Sequence, residues 1–396
     1  MARHYLDHAS TTPLRPESRA AMSAWEELGV TADPGRVHTE GRMVRAALED
    51  ARDQVAALFG VRPRQVVLTS GGTESINAAV WGVLAPAASM AASAGAGVGA
   101  GDAPPVACAG VEHAAVRDAS ARHGTVVPVE VDGLGRIHPD AVADAIVRAG
   151  TDHGRLPVLA HCQAANHEVG TVQDVAAVTE RCHALGVPVH IDAVAAAGHL
   201  PLDVDGLGVD LVSVSAHKLG GPAGIGALVL GRGLRIDPLL VGGEQERGRR
   251  AGLENVTAAI GFGAAAAALT GAGRIDEEGV AARRRTDRLV EAACAVEGVV
   301  PYGDPDRRVP HIVCLGVAGV EAEPVLLGLD QAGVAVHSGS SCSSESLEPS
   351  PVLAAMGVDG ERSLRLSVGW STTDADVEAF AAAFAGVVGR LRDLAS

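Results

Sequence analysis

Leu211-Val-Ser-Val-Ser-Ala-His-Lys-Leu-Gly-Gly221 reads as a short apolar run that ends in a basic residue and two glycines. The run, Leu211–Ser215, has strand length and is bounded by turn residues. Lys218 follows it almost at once. Of the 32 Lys and Arg residues in the chain, Lys218 is the only lysine. A primary amine at a strand end, followed by glycines, is what an aldehyde cofactor requires to form a Schiff base. Arginine cannot stand in, because its guanidinium stays protonated and is a poor nucleophile. The competing reading is a solvated surface lysine left by chance.

Outward from this strand the same pattern repeats. Val66–Thr69, Val106–Ala109, Val126–Val129, Val158–His161, Val189–Asp192 and Ala227–Leu230 are further buried-strand candidates. Val44–Phe59, Glu74–Leu84, Ala114–Arg122 and Val175–Leu185 are helical candidates between them. Alternation of this kind predicts an α/β sheet with helices on both faces. Ligands of such sheets bind beyond the carboxyl ends of the strands. After an Ala-rich helix near Ala258–Leu269 the pattern changes to a charged helix (Arg283–Val296), short strands (Ile312–Leu315, Leu364–Val368) and a last helix (Asp374–Leu394). This predicts a large domain over residues 16–264. Residues 1–15 and 265–396 then form a smaller α+β domain. No internal repeat is visible.

Composition narrows the classes. The chain has 396 residues, 47% hydrophobic and 20% charged, enough for a sizeable core and too apolar for a disordered chain. The formal net charge of −16 argues against nucleic acid or an acidic membrane as a partner. Arg3, His4, Asp7 and His8 rule out an apolar signal-peptide core at the start. Leu84–Gly110 carries Pro86, Pro104, Pro105 and many glycines, so it is expected to be an inserted loop and not a membrane helix. Six cysteines without paired spacing predict a reduced, cytoplasmic protein with mostly buried thiols and no metal site.

Five further segments carry candidate chemistry. Thr69-Ser-Gly-Gly-Thr-Glu-Ser75 follows a strand and opens a helix; Gly72 permits close approach of an anion, the helix N-terminus attracts it, and Thr73 adds a hydroxyl. The alternative there is a helix cap without ligand. Asp192 ends a buried strand and needs a cation; a pyridinium nitrogen or a structural arginine would both serve. His113 lies after a strand, able to stack on a flat ring and shuttle protons, or to be a satisfied structural histidine. Cys342 sits in the polar segment Val336-His-Ser-Gly-Ser-Ser-Cys342, where exposure permits thiolate chemistry; an unreactive surface thiol is the alternative. Arg365, on the apolar strand Ser363-Leu-Arg-Leu-Ser, is expected to answer a carboxylate.

Taken in order, these segments resemble the cysteine desulfurases of the NifS/IscS type, in the class V aminotransferase branch of fold-type I enzymes that use pyridoxal 5′-phosphate. The likeness also runs through Tyr5-Leu-Asp-His-Ala-Ser-Thr-Thr-Pro, Asn166-His-Glu-Val-Gly-Thr-Val, Glu246-Arg-Gly-Arg-Arg-Ala-Gly252 and Leu347-Glu-Pro-Ser-Pro-Val-Leu. It implies a large domain with a mainly parallel seven-stranded sheet, a smaller domain carrying a cysteine loop at about 336–348, and a homodimer. It implies that Lys218 holds the cofactor, Asp192 pairs with its ring nitrogen and His113 stacks on the ring. Gly72, Thr73, Ser215 and His217 would cup the phosphate, Arg365 would hold the carboxylate of L-cysteine, and Cys342 would take the sulfur as a persulfide. The acceptor implied is a sulfur-acceptor protein serving iron–sulfur cluster assembly or thiolation of tRNA, DNA or a metabolite.

The chain departs from that family at four places. His167 stands where the family has an asparagine near the cofactor's phenolic oxygen, and Ala195 replaces a glutamine. Leu253 replaces a threonine that reaches the phosphate from the partner subunit. Asp33-Pro34 replaces an Asn-Pro element beside the substrate, so Asp33 is expected near the substrate carboxylate. Two other readings stay open on sequence: a lyase, epimerase or aminotransferase of the same branch that does not use Cys342, and a non-catalytic cofactor or sulfur carrier.

Overall fold

Valine dominates the short apolar runs of this chain, and its branched side chain packs well on a pleated sheet. In the computed structural model, which describes residues 3–93, 103–271, 273–338 and 350–395, these runs form a seven-stranded sheet. Its spatial order is Val66–Thr69, Gly226–Leu230, Leu211–Ser215, Val189–Asp192, Leu159–Gln163, Pro105–Ala109 and Thr125–Val129. Gly226–Leu230 runs antiparallel to both of its neighbours, and the other pairs are parallel.

Side-chain alternation splits most of the strands between two cores. Val212 and Val214 join Val55, Phe59, Ile146 and Phe262 on one face. Leu211 joins Val67, Leu84, Val106 and Leu159 on the other. A strand buried on both faces reads as continuously apolar, which is why the runs are visible in the sequence.

A second, four-stranded antiparallel sheet has the order His337–Ser338, Ser363–Ser367, Ile312–Val317 and Val299–Tyr302. The helices Arg274–Cys294 and Asp374–Ala395 accompany it. Leu289, Leu315, Phe380 and Phe384 make a separate core, with the two phenylalanine rings stacked at 5.0 Å. The N-terminal strand His4–Tyr5 pairs in parallel with Val334–Ala335, so the start of the chain belongs with this second unit.

Two expectations are corrected. The Ala-rich helix runs to Thr270, and Leu269 packs in the large core. The next helix begins at Arg274, well before 283. Leu84–Gly110 is not one long loop. The helix Gly72–Ser93 continues through Pro86, and Pro105–Ala109 is a strand. Proline removes a donor to the carbonyl four residues earlier. Here that carbonyl, on Gly82, accepts instead from the Asp237 amide at 3.1 Å, so the helix survives. No single described helix is long and apolar enough to cross a membrane.

One buried ion pair ties these elements together. The Arg52 guanidinium donates to both oxygens of Glu246 at 2.6 and 2.8 Å, and the Leu68 amide donates to the same carboxylate at 3.0 Å. Glu246 holds this position at φ 49°, a strained conformation for a side chain with a Cβ. Removing one partner strands a buried charge, so Glu246→Ala is expected to lower unfolding free energy by about 3–5 kcal/mol. Urea denaturation of the variant checks it.

Candidate active site

The strands Leu159–Gln163, Val189–Asp192 and Leu211–Ser215 end together, and a cavity of about 290 Å³ opens beyond them. Gly72, Thr73, His113, His167, Asp192, Ser215, His217, Lys218 and Arg365 all line it, with Ala9, Ser10 and Ala195. Residues separated by up to 356 positions, Ala9 to Arg365, thus meet at the carboxyl ends of the strands, as expected for an open α/β sheet.

Lys218 lies in the 3₁₀ turn Ala216–Lys218 that closes its strand. The turn is followed by Gly220 at φ 92°, where a Cβ would strike the Arg15 side chain at 2.4 Å. Its ammonium donates to the Ala9 and Ser10 carbonyls, the second at 2.9 Å. The N-terminal segment thus sets the position of the amine.

Asp192 is nearly buried, and its Oδ1 accepts from the Val194 amide at 2.9 Å. Among the described residues it makes no ion pair; the structural arginine is not there. A buried carboxylate facing a cavity with one amide donor is suited to a cationic ligand atom.

Opposite it, the 22-residue helix Gly72–Ser93 presents its N-terminus to the cavity. A Cβ on Gly72 would sit 2.8 Å from Val194 and 3.4 Å from Ser215, so only glycine leaves this cradle open. Thr73, Ser215 and His217 surround it. The His217 Nδ1 lies 3.1 Å from the Thr11 hydroxyl, and burial, with the Lys218 charge second, lowers its pKa to about 4.

His113 caps the helix Ala114–His123. Its Nδ1 accepts from the Ala115 amide at 3.1 Å, which leaves Nε2 to carry the ring proton when neutral. The His167 ring meets it edge-on, with centroids 4.9 Å apart, and His167 Nε2 lies 3.5 Å from Glu168 Oε1. Glu168 in turn accepts from the Ser350 hydroxyl at 2.5 Å.

Arg365 is fully buried. It donates to the His167 carbonyl at 2.9 Å, to Asp7 at 3.1 Å and to Ser10 at 2.7 Å. Its Nε is buried and has no hydrogen-bond partner among the described residues, while the residue itself lines the cavity. A buried arginine facing a cavity suits a ligand carboxylate.

Anion cradle, buried carboxylate, amine and spare guanidinium donor together fit a phosphorylated, cationic aromatic aldehyde and an amino-acid carboxylate. Pyridoxal phosphate has all the features the first three require.

Three sequence expectations fall elsewhere. Asp33 is not at the cavity; its carboxylate accepts from the Gly35 amide at 2.7 Å and pairs with Arg36 at 3.1 Å, so a local turn holds it. Leu253 is exposed and does not line the cavity. Cys342 lies outside the described residues. Of the other cysteines, burial pushes up the thiols of Cys108, Cys162, Cys182 and Cys314, and Cys294 is exposed. The sequence reading missed Glu112, a buried acid one residue before His113, and the Ala9 and Ser10 carbonyls, which carry no signal in sequence.

Comparison with known proteins agrees with this geometry. Residues 4–380 match the aminotransferase class-V family model. An IscS-like cysteine desulfurase of Mycobacterium tuberculosis is 36% identical, over 98% of this chain and 97% of its own length. The cysteine desulfurase IscS of Dictyoglomus turgidum is 37% identical, over 94% of this chain and 91% of its own. The solved structure of a NifS-like protein from Rickettsia africae superposes with a TM-score of 0.83 at 25% identity, covering 98% of this chain and 99% of that one.

Several imidazoles beneath and beside the cavity are buried. His161 Nδ1 lies 2.9 Å from His190 Nδ1, and His190 Nε2 lies 2.8 Å from the Ser213 hydroxyl. Burial lowers His161 to about 3, and His8 and His199 to about 4. The unfolded chain takes up protons near pH 6.5 that the folded chain refuses. Stability is therefore fully present above about pH 6.5 and is lost as pH falls toward 4. Thermal midpoints measured across this range are expected to fall with pH, and less steeply in His199→Gln.

Proposed function

Because this chain belongs to the class-V aminotransferase family, whose cysteine desulfurases depend on pyridoxal phosphate, we propose that it is a cysteine desulfurase that converts L-cysteine to L-alanine and holds the sulfur as a persulfide on Cys342. The observation that carries the reading is Asp192, a buried carboxylate at the cavity without a cationic side chain, set opposite an anion cradle and beside the only lysine. When bound, pyridoxal phosphate supplies an electron sink that lets bonds at the substrate's α-carbon and beyond it break.

The roles of the residues follow from their positions. Lys218 binds the cofactor's aldehyde carbon and moves the substrate α-proton. Asp192 keeps the ring nitrogen protonated by pairing with it. The first amides of the helix Gly72–Ser93, with Thr73, Ser215 and His217, hold the phosphate. His113 covers the ring and handles protons through Nε2. Arg365, a cavity-lining guanidinium, would pair with the substrate carboxylate. His167, in place of an amide side chain, donates to the phenolic oxygen of the cofactor. The Cys342 thiolate attacks the substrate sulfur: a new S–S bond forms and the C–S bond breaks. The bonding pair stays with the carbon, and that carbon is protonated as alanine leaves.

We take the enzyme to be a cytoplasmic homodimer. The Glu246–Gly252 loop would complete the neighbouring site, where Leu253 offers no hydroxyl to the phosphate. The acceptor is a protein able to receive a sulfane sulfur. Residues 16–264 and the remainder are read as its large and small domains, with the break moved to Gly271–Gly273.

Anaerobic turnover of L-cysteine, followed by mass spectrometry of the Cys342 peptide, tests the reading. The native protein is expected to show one added sulfur. Cys342→Ala is expected to keep the cofactor's visible absorbance and lose alanine formation by about 10²-fold or more. Normal turnover in that variant would leave a lyase-type reaction of the same branch. In a second measurement, His167→Ala is expected to shift the pH titration of the bound cofactor's absorbance; an unshifted curve removes His167 from the phenolic oxygen.

A further inference from the structure

Glu112 follows the strand Pro105–Ala109 and precedes His113, and its side chain is wholly buried. Oε1 accepts from the Gln163 amide at 2.8 Å. Oε2 is buried with no hydrogen-bond partner among the described residues. Gln163 is the register partner of Asp192 on the adjacent strand. Paired strands lie about 4.8 Å apart, so the Glu112 carboxyl stands roughly one strand from Asp192.

The two carboxyl groups therefore lie near one another on neighbouring elements, Asp192 lining the cavity and Glu112 wholly buried outside its lining. Like charges so placed are not both held ionised. The groups of opposite sign around Glu112, His167 and Arg117, relieve this only in part. Arg117, on the helix Ala114–His123, makes no ion pair with it among the described residues, and the Arg117 Nε is itself buried without a partner. His167, from the turn after Leu159–Gln163, and Asp192 face it from the other elements. The Cys108 and Cys162 thiols are protonated neighbours. Asp192 has an amide donor and opens onto the cavity, where a ring cation can pair with it. Glu112 has one amide donor, makes no ion pair among the described residues and does not line the cavity, so it is the worse place for the charge.

We propose that Glu112 is a positioning residue that stands as the neutral carboxylic acid in the native protein, leaving Asp192 as the single carboxylate charge offered to the cofactor's ring nitrogen. The role of Asp192 in this statement rests on the proposed function. Burial first, and Asp192 second, push the pKa of Glu112 up to about 8. Its folded value lies above its unfolded one. The stability it contributes is complete below about pH 4.5 and is lost as pH rises toward about 8.

Infrared spectroscopy of the full-length protein, with and without pyridoxal phosphate, tests the proposal. At neutral pH the native protein is expected to show a protonated-carboxylic-acid stretch that Glu112→Gln lacks. In Asp192→Asn that band is expected to titrate away at lower pH, because the neighbouring negative charge is gone. The thermal midpoint of the native protein is expected to fall relative to Glu112→Gln as pH rises from about 5 to about 8. In the loaded protein, absorbance of the cofactor is expected to change through the same range, and not in Glu112→Gln. Absence of the band at neutral pH, or a midpoint difference independent of pH, overturns the proposal. The band in cofactor-free protein reads Glu112 whatever happens to cysteine turnover, so failure here and failure of the desulfurase reading are separate results. If Glu112→Gln does not fold, the native and Asp192→Asn spectra decide the matter between them.

Discussion

A carboxylate at the end of a buried strand is costly, and Asp192 is such a group. Its amide bond from Val194 offsets only part of the several kcal/mol that an ion loses on leaving water. The sheet edge is arranged so that little else adds to that cost. His217 is held neutral by burial, and so are His161 and His190 in the layer below. Glu112 is pushed toward its uncharged form. The strongest positive groups at the cavity, Lys218 and Arg365, are each partly engaged elsewhere: Lys218 by two carbonyls, Arg365 by Asp7. The charge of Asp192 is thus kept for a ligand atom.

The layer of polar side chains under the cavity explains a feature of the strands that periodicity hides. Val189–Asp192 and Leu211–Ser215 read as apolar runs, yet His190 and Ser213 are fully buried within them. They are satisfied by each other and, through His161, by Ser120 on the helix Ala114–His123. A buried polar group that is fully hydrogen-bonded holds its neighbours in one arrangement. Here it fixes the relative heights of three strands directly beneath Asp192 and Ser215.

What could be read from the sequence and what could not follow the range of the interaction. Lys218, Asp192 and Gly72 were legible because each acts through its own strand end or helix start. Six of the seven strands were legible because both of their faces are buried, and the edge strand Thr125–Val129 by its alternating valines. Asp33 does not line the cavity of this chain, and its carboxylate satisfies the Gly35 amide two residues away, a local bond that its sequence context does not announce. The continuation of the helix past Pro86 was hidden, since it depends on the Asp237 amide reaching the Gly82 carbonyl. The partners of Arg365 were hidden too: Asp7 lies 358 positions away in sequence. An arginine on an apolar strand announces a carboxylate but not which one.

Those long-range bonds converge on the first residues of the chain. His4–Tyr5 pairs with Val334–Ala335, Asp7 and Ser10 hold Arg365, and the Ala9 and Ser10 carbonyls hold the Lys218 ammonium. One short segment therefore joins the smaller sheet to the amine on the larger one. Two carbonyls stabilise the charged form of an amine, whereas a nucleophile must be neutral. For Lys218 to bond a carbonyl carbon, its nitrogen has to give up a proton and at least one of these acceptors. The cost of that exchange falls on the segment that also positions Arg365. Both basic groups at the cavity are in this way tied to one stretch of chain, residues 7–10.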